Sequence, residues 1–172
     1  MIQVESDTGE EWDSRIGWTD LARDAVLSAV RCSDLSGLAD GGPSLEISVK
    51  FTSDEEVRAL NAAYRNKDKS TNVLSFPMID TGLLHDLADA RVGELLLGDV
   101  VLAHGICSTE AAEKGVAVET HASHLVVHGT LHLLGYDHEE GEDEAEAMEK
   151  VEREALAAIG ISDPYALTEA QI

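Results

Sequence analysis

The sequence predicts an α+β (mixed α/β) fold in a single domain, 1–172: one small mixed sheet of about four strands packed with about five helices. Three observations predict it. Seven positions, 45–51, alternate strictly between apolar and polar, which is the period of a half-buried strand. Three longer segments, 19–30, 119–134 and 145–159, carry apolar residues at helical spacing. No repeat or Pro/Gly-rich linker separates the two kinds of segment, and 172 residues, 44% of them hydrophobic, suffice for one core.

In chain order, Ile2 and Val4 alternate with polar neighbours as a short first strand, and SDTGEE after them reads as an exposed turn. Thr19 is the expected N-cap of the first helix, whose Leu21, Ala25, Ala29 and Val30 recur until DLSGLADGGP breaks the pattern. Leu45, Ile47, Val49 and Phe51 mark the clearest strand. Ser53 followed three residues later by Glu56 fits a capping box, and Val57, Leu60, Ala63 and Tyr64 make the stripe of a second helix. A polar loop, 66–70, leads into TNVLSF, a strand stopped by Pro77, after which 78–93 reads as an irregular excursion or lid. ELLLGDVVLA is an apolar strand interrupted at Gly98, and 108–114 begins a helix. The helix 119–134 ends at Gly135, suited to a left-handed C′ position. Ala145, Met148, Val151, Ala155 and Ile159 give the last helix its buried face, with Gly160 closing it.

Charge narrows the function. Thirty-four acidic against twelve basic side chains give a formal charge of -22, an averaged field that repels nucleic acid and anionic membrane. A polyanionic partner must therefore meet a local basic patch. No apolar run approaches the roughly 20 residues of a membrane helix, and the start MIQVESDTGEEW has neither the basic nor the apolar region of a secretion signal, so a cytoplasmic protein is expected. Cys32 and Cys107, far apart and in no C-x-x-C pair, read as small buried thiols.

Five of the seven histidines lie between positions 121 and 138. His128 and His132 stand roughly 40° apart around a helix and about 6 Å along it, so both imidazoles reach one ion from one face. His124 extends that stripe, but three ligands spread over about 12 Å of helix cannot share one first-row ion. His138 follows Gly135 closely enough to fold back as the third, giving H-x3-H-x5-H and a position left for water, the arrangement of a catalytic zinc. One divalent ion is expected, zinc first, although imidazole also suits Ni, Cu, Fe and Co. The competing reading is a solvated or core-satisfied stripe, and for His121 and His124 it is the preferred one. The HExxH zinc peptidases place two histidines similarly, yet Gly129 stands here where their general-base glutamate would, which removes support for peptide hydrolysis.

Five of the twelve basic residues, Lys50, Arg58, Arg65, Lys67 and Lys69, fall between positions 50 and 69. Arg65, Lys67 and Lys69 sit at a helix–strand junction, and a forked guanidinium suits a phosphodiester. The alternative is a solvated helix end whose cations answer the macrodipole. The acidic run EEGEDEAEAMEKVERE reads as the solvated face of the last helix, without a catalytic role.

The two signals together resemble the YbeY-type rRNA maturation factors, single-strand-specific metal-dependent endoribonucleases of bacteria. HLVVHGTLHLLGYDH, 124–138, is similar to that family's histidine signature, and LNAAYRNKDKSTNVLSFP, 60–77, to its arginine-bearing one. LLLGDVVL, Met148, Glu152 and DPY at 163–165 also fit, so the likeness covers roughly the last two-thirds of the chain. It implies His128, His132 and His138 as metal ligands and Arg65 as the functional arginine facing them; Lys67 and Lys69, from the basic island, are expected to bind the substrate. The implied role is maturation of the 16S rRNA 3′ end and ribosome quality control, on RNA and not DNA, with small-subunit ribosomal proteins and an assembly GTPase as partners. Two departures touch the rim: Ser70 stands where a proline is common, and the stretch 79–94 is longer than usual. No general base is identifiable, so metal-activated water and attack by the RNA's own 2′-hydroxyl both remain as routes. Two other classes stand beside this one: a metal-dependent hydrolase of another substrate, such as a peptide, and an assembly-binding factor with a structural metal, which the charge of -22 favours.

Overall fold

The strand read from alternation at 45–51 is the second of four in one mixed sheet. In the computed structural model, which describes residues 2–41, 43–88, 93–137 and 141–165, β1 (Ile2–Thr8), β2 (Ser44–Thr52), β3 (Val73–Pro77) and β4 (Glu94–Ala103) lie in the order β1-β2-β4-β3. β1 and β4 flank β2 in parallel, and β3 forms an edge antiparallel to β4. Six α-helices occur among the described residues: α1 (Trp18–Cys32), α2 (Asp54–Arg65), α3 (Thr81–Ala88), α4 (His104–Lys114), α5 (Val118–Leu133) and α6 (Glu142–Ala158), with a 3-10 turn at Ser36–Ala39. The helix beyond the expected five is α3, inside the segment read as irregular. It buries only Leu84, and Asp80 starts it by accepting from Gly82 N at 3.0 Å, so no periodic signal announces it.

Alternation along the strands sends their apolar residues into two layers. Leu45, Ile47, Val49 and Phe51 of β2 join Val100 and Leu102 of β4 beneath α1, α5 and α6. Val101 and Ala103 of β4 face the other way, toward Leu74 of β3 and Val57 of α2. Ser53 caps α2 by accepting from Glu56 N at 3.2 Å, but the return half of the capping box is absent, because the Glu56 carboxylate turns to Lys50 and to the Thr52 hydroxyl. The expected α2 stripe also stops short: Val57 and Asn61 are buried while Tyr64 is exposed.

Two boundaries shift for local reasons. β1 continues through Ser6–Thr8, the expected turn, because those residues pair with Val49–Phe51. The N-cap of α1 is Gly17, and the Thr19 hydroxyl instead lies 2.7 Å from that of Ser6. At Gly98 the apolar strand is bulged, not ended: the register slips by one opposite Glu46 and Ile47, and Gly98 takes φ 149, where any Cβ would collide with Phe76 O. Of the two thiols Cys107 is buried and Cys32 half-buried. Among the described residues no helix is long and apolar enough to cross a membrane.

α5 runs through the middle of the helical layer and is buried around most of its circumference, from His121 to Leu133. Gly129 lets it lie directly on β4 at Val100. At its end Gly135 takes φ 102 and Tyr136 N donates to Leu131 O at 3.0 Å, so the expected left-handed exit is formed.

Candidate active site

Burial of α5 sets the chemistry of its histidines, since each ring must find a partner inside the protein. His121 Nε2 lies 2.8 Å from Glu110 Oε1 on α4, and His124 Nε2 lies 2.7 Å from Glu152 Oε2 on α6. Both rings are thus taken up in core hydrogen bonds, as the structural reading of the sequence had it. His128 and His132 stand at the end of the stripe nearer solvent, with ring centroids 4.6 Å apart.

The partners of these two rings fix their tautomers. His132 Nδ1 lies 2.9 Å from Tyr136 O, and a carbonyl oxygen only accepts, so Nδ1 donates. His128 Nδ1 lies 3.1 Å from Glu152 Oε1. Burial works against charge on Glu152, but hydrogen bonds from His124 and His128 outweigh it and hold the carboxyl below the usual carboxylate range. The carboxylate already accepts from the Tyr165 hydroxyl at Oε2, 2.8 Å away, and its Oε1 accepts in the same way from His128 Nδ1. Both Nε2 atoms then carry lone pairs, and they face each other at 3.1 Å. Two lone pairs at that distance repel unless a proton or a cation stands between them. Two nitrogens bound to one tetrahedral zinc stand about 3.3 Å apart, so the pair has the donor chemistry and spacing to hold a divalent ion. His138, the expected third ligand, lies outside the described residues. Among the described residues, no group of three His, Cys, Asp or Glu side chains converges as a metal set.

A cleft of about 660 Å³ opens over this pair. His128, His132, Tyr136 and Asp137 line it together with Arg65, Lys67 and Lys69, so the structure brings the two described histidines of the expected metal set and the three cations of the helix–strand junction to one cleft. Asn61, 2% exposed, shapes the loop that carries the cations: its side-chain Nδ2 donates to Lys69 O at 2.9 Å and its backbone carbonyl accepts from Lys67 N at 3.2 Å, while Asn66 turns the chain at φ 56. The other two members of the basic island point elsewhere and are neutralised, Lys50 by Glu56 and Arg58 by Asp68, whose Oδ1 accepts from Nε at 2.8 Å. No ion pair to Arg65, Lys67 or Lys69 occurs among the described residues.

One residue corrects the reading of the acidic run. Glu152 is 1% exposed rather than solvated, and it joins His124, His128 and the Tyr165 hydroxyl, which donates to Oε2 at 2.8 Å. The signal was in the spacing: Glu152 stands four residues after Met148 and three before Ala155, on the apolar stripe of α6. Asn61 had no such signal, because its function is to hold a loop.

Fold and cleft define a class: a small α+β protein whose helix-borne imidazole pair shares one cleft with three cationic side chains. The chain belongs to the Endoribonuclease YbeY family, whose sequence model matches residues 16–160. It is 53% identical to the Endoribonuclease YbeY of Rhizorhabdus wittichii, over 98% of this chain and 99% of that protein. It is 47% identical to that of Sphingopyxis alaskensis, over 96% and 98%. The solution structure of TM1509 from Thermotoga maritima shares the fold, with a TM-score of 0.54 at 23% identity, over 92% of this chain and 91% of that one.

Proposed function

We propose that this protein is a metal-dependent endoribonuclease of single-stranded RNA, acting in the cytoplasm on the 3′ end of 16S rRNA and in ribosome quality control. In this reading it works with small-subunit ribosomal proteins and an assembly GTPase, and DNA is not its substrate. The observation that carries the reading is the facing of two Nε2 atoms at 3.1 Å in a cleft that Arg65, Lys67 and Lys69 also line. His128, His132 and His138 would hold one divalent ion, zinc before the others. Bound there, such an ion supplies Lewis acidity and activates water.

The chain's own groups do the rest. Arg65 offers two parallel donors to the oxygens of the scissile phosphate and stabilises the charge that develops on them. Lys67 and Lys69 hold neighbouring phosphates as point charges. Glu152 and Tyr136 O keep the two imidazoles from rotating. A glutamate general base next to His128 is excluded by packing, because position 129 faces Val100.

Arg65→Ala should lower cleavage of a single-stranded oligoribonucleotide by at least about 100-fold while bound metal stays constant. Full activity of that variant refutes the role of Arg65. Peptide digestion that a chelator abolishes and the Arg65 change leaves alone would replace RNA with peptide as substrate. The charge of -22 favours a second reading, an assembly-binding factor in which the metal organises the fold. That reading wins if His132→Ala protein, folded and metal-free, still supports correct 16S rRNA ends in cells.

A further inference from the structure

We propose that Glu152 is a positioning residue that locks His128 in the tautomer needed to present Nε2 to a metal, with His124 and Tyr165 serving to hold the carboxylate in place. The inference rests on the metal-dependent reading above and adds to it a part of the chain, α6 and the turn after it, that supplies no ligand.

The carboxylate is held from one side and used on the other. Oε2 accepts from two fixed donors, His124 Nε2 at 2.7 Å and Tyr165 Oη at 2.8 Å, which sets the plane of the group and leaves Oε1 directed at His128 Nδ1, 3.1 Å away. Both donors are themselves anchored. His124 is on the buried helix α5, and Tyr165 is pinned by its own N–H to Asp163 Oδ1 at 2.8 Å, with the Arg153 guanidinium 5.6 Å from its ring centre. His132 needs no such device, since a backbone carbonyl already fixes its Nδ1.

The location is costly for a charge. Glu152 replaces an apolar residue on the stripe that Met148, Ala155 and Leu156 complete, and the outward faces of α6 already carry its other glutamates. A position serving only packing is met at lower cost by an apolar side chain. Three converging donors on a single carboxylate suit a group whose task is to orient a ring.

Glu152→Gln tests this without changing shape. Its one amide oxygen would answer His124 and Tyr165, which turns the NH2 toward His128 Nδ1. That nitrogen must then accept, and the imidazole proton moves to Nε2, against His132. Two readouts apply: the tautomers of His128 and His132 in metal-free protein, from long-range 1H–15N correlations at about pH 8.5, above the ordinary imidazole value of about 6.5, and zinc affinity by chelator competition. The expected result is an inverted His128, an unchanged His132, and zinc affinity lower by about 10- to 100-fold. Wild-type His128 protonated at Nε2 overturns the proposal without any variant, which covers the case of a Gln protein that fails to fold. A folded Gln variant whose tautomers and zinc affinity match the wild type also overturns it. If the tautomer inverts but the wild type takes up no zinc, the positioning role stands and the metal-dependent reading falls.

Discussion

A Cβ built on Gly129 would stand 2.7 Å from Val100 Cγ1 and 3.2 Å from Cγ2. Val100 is a fully buried, β-branched residue of β4 with no long stem to swing away, so an added methyl must push α5 off the sheet. Overpacking of this kind costs about 1–3 kcal/mol, against which alanine regains up to about 1 kcal/mol of helix propensity. Gly129→Ala should therefore lose about 1–2 kcal/mol in chemical denaturation, and Val100→Ala in the same chain should recover part of that loss. A stabilised single variant, or two changes that simply add, would show that the contact is not what holds this position to glycine. The same contact explains why the residue after His128 is no glutamate: there is no space there for any side chain. The absence was legible in the sequence, but its cause, a valine on another element, was not.

At the scale of elements, legibility follows how far each signal reaches along the chain. β2 was readable because both of its neighbours are strands and one face meets helices, so burial alternates residue by residue. α5 was readable by its histidines and Gly135, though burial on most sides blurs its apolar stripe. α3, with one buried leucine, offered nothing to read; the place of Glu152 on the α6 stripe was legible, but its role was not, because its partners lie on α5, 28 and 24 residues away. The meeting of Arg65 with His128 and His132 is likewise a product of packing: the α2–β3 loop and the end of α5 come together only once β3 takes the edge beside β4. The contact between α4 and α5 carries a prediction of its own. Burial holds the His121 imidazole below its ordinary value, with Lys114 and His124 acting in the same sense and the Glu110 hydrogen bond against it. The unfolded chain takes that proton at about 6.5, so below this pH the unfolded state binds more protons than the folded one, and stability falls as pH falls until the lower folded value is passed. Melting temperature should drop between about pH 7.5 and 5.5, and less in His121→Gln, which keeps a donor for Glu110 but does not titrate. Parallel profiles for the two proteins would mean that His121 does not report on this contact.

For the molecule as a whole, the question is how a chain of charge -22 receives a polyanion. In the proposed reading two fields act on an approaching strand. The summed acidic charge would repel it at long range, and Arg65, Lys67 and Lys69 would attract it within the cleft they line, where Lys50 and Arg58 add little because Glu56 and Asp68 already neutralise them. Salt separates the two by distance: raising ionic strength from about 0.01 M to 0.1 M shortens the screening length from about 30 Å to 10 Å, which removes the long-range repulsion while contacts of a few ångströms persist. Cleavage of a short single-stranded oligoribonucleotide should therefore hold or rise in kcat/KM over that interval, where a nuclease with a broad basic face would lose activity steeply. Above it the three close contacts are screened in turn. With about 0.7 counterions released per phosphate on a single strand, three contacts limit the slope of log(kcat/KM) against log[salt] to about -2. Lys67→Ala should reduce that limiting slope by about 0.7 and leave the low-salt behaviour unchanged. A monotonic fall steeper than about -3 from the lowest salt would show that RNA meets basic residues beyond these three, and that the cleft between α2 and α5 is not where the strand is mainly held.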